Sequence, residues 1–137
     1  MDKALQYMAL ARKAGRIELG EEPVGGAARA LHALLVVVAE DASDHTYRRA
    51  KSFVAGTNQQ CIKVPFSKAD MGQCVGRSEL AIAAFTDPAM ALAFVKALPS
   101  QERFTQELEY LQTRTRRVQK LASEKKAHQR NKRFGKK

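Results

Sequence analysis

Apolar residues recur along this chain in two alternating patterns, a helical spacing of three to four positions and short uninterrupted runs, as far as about residue 98. Leu5, Met8 and Ala9 follow Asp2 at helical spacing, and Gly15 stops the pattern, so a first helix is predicted over residues 3–14. Arg16-Ile17-Glu18-Leu19 alternates as a short strand does. Val24, Ala27, Ala28 and Leu31 then form one face of a second helix, which opens with a flexible Gly20, the acids Glu21 and Glu22, and Pro23. Residues 34–39, LLVVVA, are predicted to be a central strand buried on both faces.

The polar segment Glu40-Asp41-Ala42-Ser43-Asp44 leads into a third helix with a core stripe of Tyr47, Ala50, Phe53 and Val54, ending near Gly56. Residues 61–66 read as a strand that Pro65 confines to an edge or terminates. A short fourth helix is predicted at about 68–75 and another apolar strand at 80–85. Thr86-Asp87-Pro88 is a strong start for a fifth helix, with Met90, Phe94, Val95 and Leu98 facing inward. Helices and strands alternating over short connections predict an α/β layered domain over residues 1–98.

After Pro99-Ser100 the pattern becomes one long helix, with Phe104, Leu108, Leu111, Thr115 and Val118 in steps of four and three. Two heptads are too few to establish a coiled coil, and packing back onto the domain or pairing with a second helix accounts equally well for the stripe. Residues 99–137 are therefore expected to form a helical or partly disordered extension.

Charge sharpens this division. The formal net charge is +10, yet residues 1–113 hold 13 Lys+Arg against 13 Asp+Glu, while residues 114–137 hold 11 against 1. A basic terminal block of that kind neutralises phosphates, and nucleic acid is the favoured partner over an acidic membrane surface or acidic protein. Arg114, Arg116, Arg117, Lys120, Lys125, Lys126, Arg130, Lys132 and Arg133 are its candidate non-specific phosphate contacts. The N-terminus does not resemble a signal peptide, and no apolar run approaches the 18 residues needed to cross a bilayer, so a cytoplasmic protein without membrane association is expected.

Little in the chain points to catalysis. Cys61 and Cys74 are thirteen positions apart without a CxxC, which favours buried thiols over a zinc site or disulfide. His32, His45 and His128 are scattered and assemble no metal cage or Cys/His dyad. Gly15 and Gly20 have the spacing of a phosphate-binding loop, but Glu21-Glu22 stands where Lys and Ser/Thr are required. The acids at 40–44 suit helix capping better than acid–base chemistry. No cofactor, metal or small-molecule substrate is expected. The stretch from Arg12 to Leu31 is the best candidate surface: Arg12, Lys13 and Arg16 supply charge, and unpaired N–H groups at the second helix start can meet a base edge or phosphate. Gly25-Gly26 within that helix implies either close approach by a partner or a loose first turn.

KAGRIELGEEPV, LLVVVAEDAS and AIAAFTDP, in this order, resemble the kink-turn RNA-binding ribosomal protein family of the archaeal L-seven-Ae type, most closely its small bacterial YlxQ-like branch, over residues 3–98. The resemblance implies a three-layer α-β-α sandwich around a four-stranded mixed sheet, here with a basic C-terminal helical tail, and a non-enzymatic RNA-binding role associated with ribosomes or ribosomal RNA. It also implies that Gly20, Glu21, Glu22 and Gly26, with Arg29 one turn on, grip the RNA. A second surface at Gly76, Arg77, Ser78, Glu79 and Leu80 would cover flipped-out nucleotides, with Ser43 between the two. The archaeal proteins carry Asn-Glu where this chain has Glu22-Pro23, and Lys where it has Gly26. The alternative from a different class is a protein–protein adaptor on ribosomal or transcription machinery, recruiting a partner helix through the 104–118 stripe.

Overall fold

The computed structural model describes residues 2–99, 104, 107 and 109–118. Over residues 3–96 five helices and four strands alternate: α1 (Lys3–Lys13), β1 (Ile17–Leu19), α2 (Glu21–Arg29), β2 (Leu35–Val38), α3 (Asp44–Val54), β3 (Gln60–Lys63), α4 (Lys68–Cys74), β4 (Ile82–Phe85) and α5 (Pro88–Lys96). The strands form one mixed sheet in the order β1-β4-β2-β3, antiparallel at β1/β4 and β4/β2 and parallel at β2/β3. β3 lies at an edge, as Pro65 just beyond it predicts, and β2 is central and buried along its whole length.

Side chains alternate across the two central strands and so build two cores. Leu35, Val37, Ala83 and Phe85 point into one cluster with α1, α4 and α5, where the Phe85 and Phe94 rings are 5.0 Å apart. Val36, Val38, Ile82 and Ala84 point the opposite way, onto Val24 and Ala28 of α2 and Ala50 of α3. The period of two within a strand thus gives the sandwich its three layers. Phe104 and Leu111 join the first cluster and Tyr110 packs on it, so this part of the stripe turns back onto the domain. Residues 109–118 are helical, Val118 is exposed, and Leu108 lies outside the described residues.

Helix starts follow their capping residues closely. Asp2 accepts from the Ala4 amide at 2.8 Å, Ser43 from Thr46 at 3.1 Å, Ser67 from Asp70 at 3.0 Å and Asp87 from Met90 at 2.9 Å, with Pro88 in the first turn of α5. Among the acids at 40–44, Asp41 serves such a role, accepting from the Lys68 amide at the start of α4 at 2.8 Å, whereas the cap of α3 is Ser43.

Leu31 corrects the expected inner face of α2. The helix ends at Arg29 with Ala30 as its cap, and Leu31 adopts a left-handed φ of 63° with its side chain 62% exposed. The amides of Leu31 and His32 donate to the carbonyls of Ala28 and Ala27. That pairing closes a helix with a left-handed residue, a place glycine usually fills. The turn is locked on its far side by Gln59, which accepts from the Ala33 amide at 2.9 Å and donates to the Ala28 carbonyl at 3.2 Å.

Candidate RNA interface

Because β4 runs antiparallel to β1 and β2, the chain leaves β1 and β2 at the same end of the sheet where it enters β4. Gly20, the 39–43 turn around Ser43 and the 76–81 loop therefore gather at one end of the sheet, although they are far apart in sequence. The Gly20 amide donates to the Ile82 carbonyl at 3.0 Å, tying the start of α2 to the start of β4. Gly20 has φ 96° and ψ 163°, a conformation costly for residues with a Cβ, so glycine is required at this corner.

α2 begins without a side-chain cap, in contrast to α1, α3, α4 and α5. Pro23 brings no donor, and the first intrahelical bond runs from the Val24 amide to the Gly20 carbonyl. The Glu21 and Glu22 amides thus have no partner within the helix, and the helix dipole adds partial positive charge there. The guanidinium of Arg77 lies against the same corner, its Nη1 3.7 Å from the place a Cβ on Gly20 would occupy. The start of α2 and the loop bearing Arg77 thus adjoin one another.

The loop bearing Arg77 is held by a glycine that sequence reasoning passed over. A Cβ on Gly72 would come within 2.7 Å of the Glu79 Cα and 2.9 Å of the Arg77 carbonyl oxygen. The Arg77 amide donates to the Gly72 carbonyl at 2.8 Å, and Gly76 turns the chain with φ 77°. Gly76, Arg77, Ser78 and Glu79 are exposed, whereas Leu80 is buried and its amide bonds the Lys68 carbonyl. Leu80 therefore serves the core, and the outward part of the loop is 76–79. Gly72 was legible only as an oddity, a glycine inside a predicted helix.

Ser43 is exposed and works as the cap of α3. Gly26 is half-buried, and Arg29 is exposed on the same helix. Arg12, Lys13 and Arg16 are exposed but are not gathered with Gly20: Arg16 precedes β1, its carbonyl accepting from the Thr86 amide beyond β4. A strand advances about 3.3 Å per residue, which puts Arg16 roughly 13 Å from Gly20, at the opposite end of β1. Arg116 and Arg117 are exposed and Arg114 half-buried, while Lys120, Lys125, Lys126, Arg130, Lys132, Arg133 and His128 lie outside the described residues.

α3 adds basic side chains that no sequence motif marked. Arg49 Nε stands 3.7 Å from Glu21 Oε1, and its guanidinium carbon lies 5.4 Å from the centre of the Phe53 ring. Lys51 and Lys63 both approach the Tyr47 ring, at 5.0 and 5.3 Å. Chemically, that end of the sheet offers backbone donors, guanidinium groups and two carboxylates. Among the described residues, no group of His, Cys, Asp and Glu could hold a metal ion. Burial raises the Cys61 and Cys74 thiols to about 11, so both half-buried thiols are protonated at neutral pH. No helix among the described residues is long and apolar enough to cross a membrane.

The model of the ribosomal protein L7Ae/L30e/S12e/Gadd45 family matches residues 2–94. The chain belongs to that family. Two solved structures with this fold are a protein of unknown function from Bacillus halodurans C and a 15.5kD RNA-binding protein from Giardia lamblia. The first is 22% identical with a TM-score of 0.65, over 71% of this chain and 97% of its own. The second is 17% identical with a TM-score of 0.52, over 69% of this chain and 81% of its own. No curated protein sequence matches the chain. The matched region of the L7Ae/L30e/S12e/Gadd45 family contains every strand and both halves of the Gly20–Arg77 corner.

Proposed function

We infer that this protein binds structured RNA without catalysing a reaction, and that its RNA is ribosomal or otherwise carries a kink-turn. The observation that carries the reading is the uncapped N-terminus of α2 with Arg77 beside it, in a member of this family. Two amides without helical partners and the positive end of a helix dipole meet a sharply bent RNA at Gly20, Glu21 and Glu22. The exposed 76–79 loop covers nucleotides that the bend turns outward, which suits recognition of RNA by shape and unstacked bases. The 15.5kD Giardia relative in fold, an RNA-binding protein, is in keeping with this.

The domain of residues 1–98 supplies selectivity in this reading, and the cations of residues 114–137 supply grip that does not depend on sequence. An adaptor role has less to stand on, because Phe104 and Leu111 are already buried in the core.

Titration against a kink-turn RNA, a plain duplex and a single strand at two salt concentrations tests both parts. The kink-turn RNA should bind most tightly, and equal affinity for the three would refute shape selection. Replacing Lys120, Lys125, Lys126, Arg130, Lys132 and Arg133 with Gln should weaken all three alike. The slope of log affinity against log salt should flatten by about 0.7 to 0.9 for every phosphate ion pair removed. An unchanged slope would refute the role given to the tail.

A further inference from the structure

The end of the sheet opposite the Gly20–Arg77 corner holds charges that the corner does not use. Arg12 and Lys13 close α1, and Arg16 leads into β1. The Thr86 amide donates to the Arg16 carbonyl at 3.0 Å, that of Leu34 to Phe85 at 3.0 Å and that of Gln60 to Leu34 at 3.1 Å. These bonds set the strand ends side by side, so Arg16 stands two strand spacings, roughly 10 Å, from Leu34. Beside Leu34 this end opens into a cleft of about 340 Å³. The turns at Leu31 and Asn58 form one side of it, and Tyr110 and Arg114, one helical turn apart, form the other.

Leu31 marks the cleft as more than a gap. Among the described residues it alone, glycines aside, has a left-handed φ, and its apolar side chain is 62% exposed. Folding gains nothing from holding an aliphatic group outward at a conformational cost, which points to contact with a molecule outside the chain.

The lining decides what that molecule is. Leu31, Leu34 and the Tyr110 ring give apolar walls, and Arg114 is the charge among the described lining residues. Thr57 and Gln59 spend their side chains on each other and on the carbonyls of Val54 and Ala28. The Asn58 side-chain amide has no such partner among the described residues. A purely apolar ligand would strip water from Arg114 and Asn58 without replacing it, and a bare anion would leave Tyr110 and Leu31 unused. A nucleotide engages all of them. Its base packs on the ring, its edge of mixed donors and acceptors meets an amide that carries both, and its phosphate meets a guanidinium. Charge points to a strand over a free nucleotide: Arg12, Lys13 and Arg16 are exposed at this end, and the basic sequence 114–137 begins at the cleft. Asp87, which follows β4 there, is committed to capping α5.

We propose that this cleft is a second RNA contact, taking one unpaired nucleotide of a single strand. The base lies against Leu31 and Tyr110, the phosphate on Arg114, and the strand runs on toward Arg16. The proposal rests on the RNA-binding reading above and puts single-stranded RNA at the end of the domain away from the bent RNA.

The test uses the full chain, a short uridine-rich single strand and a blunt-ended kink-turn RNA. Tyr110→Leu keeps the apolar packing, removes the ring and should cost the single strand roughly tenfold in affinity, the scale of one stacked base. Tyr110→Phe should bind as wild type. Leu31→Gly relieves the strained turn, so a several-fold loss of single-strand binding by a protein at least as stable would not come from unfolding. Neither Tyr110→Leu nor Leu31→Gly should alter kink-turn binding. Arg114→Gln should flatten the salt slope for the single strand by about 0.7, one phosphate contact. A strand carrying iodouridine should photocrosslink to Tyr110.

Single-strand binding indifferent to residues 31 and 110 would overturn the proposal while leaving RNA binding intact, and so would crosslinks confined to residues 119–137. Equal losses on the kink-turn RNA would overturn it as well, by placing both RNAs on one surface. Uridine monophosphate binding as tightly as the strand would reassign the cleft to a free nucleotide, and displacement of the strand by polyglutamate would reassign it to an acidic peptide. Failure of the wild type to bind either RNA would bring down the underlying reading and this one with it.

Discussion

Leu31 shows how one residue can carry a conformational penalty that sequence patterning conceals. Its spacing from Val24 and Ala28 fits an inward helical face, but α2 stops two residues earlier and leaves Leu31 at φ 63° and exposed. A side chain in that conformation costs roughly 1–2 kcal/mol, and glycine in its place forfeits about half of the relief through its freer unfolded state. Leu31→Gly should therefore raise stability by about 0.5 kcal/mol. Urea unfolding would show this as a higher midpoint with an unchanged slope; a lower midpoint would mean that exposed Leu31 contributes packing after all.

At the scale of elements, capping chemistry placed most boundaries. Asp2, Ser43, Ser67 and Asp87 each sit where a helix begins, and each accepts a backbone amide. The exception, α2, begins at Gly20 with no cap, and it is the helix start around which the candidate interface forms. The loop that completes this interface depends on its packing against α4 through Gly72. A methyl group there would meet backbone atoms of Arg77 and Glu79 closer than atoms can stand. Gly72→Ala should cost about 1–3 kcal/mol, the range for overpacking, and should weaken RNA binding further by moving Arg77 away from Gly20. Thermal unfolding and RNA titration of the same variant would check both; a variant stable as wild type would show that the loop yields freely.

At the scale of the whole molecule, the two thiols report on both layers at once. Cys61 packs against the α2–α3 core and Cys74 against the α1–α4–α5 core, and burial raises each from 9.0 to about 11. The unfolded chain releases these protons first, so the unfolded state binds fewer protons in that interval and stability falls as pH rises from about 9 toward 11. Below pH 9 the thiols contribute no pH dependence. Replacing both with Ala should flatten the alkaline limb of a stability–pH curve, and equal slopes for the two proteins would assign that limb to other groups. Alkylation at pH 7 should likewise be slow in the native protein and fast in denaturant.

The order and type of the elements were legible in the sequence, because helical periodicity, strand-length apolar runs and capping residues are local properties of the chain. The candidate corner was legible in part: Gly20, Glu21 and Glu22 announce themselves as a helix start. What the sequence could not express is adjacency. Sheet order brings residue 77 against residue 20 and leaves Arg16 at the far end of β1, and both follow from strand order and direction, which no short motif encodes. In sequence Phe53 reads only as part of the core stripe of α3 and Arg49 belongs to no motif; packing of α3 on α2 sets both around a cleft. Periodicity and capping fix which backbone hydrogen bonds form within a segment; tertiary packing alone decides which segments meet at one end of the sheet, and the candidate interface is a property of that meeting.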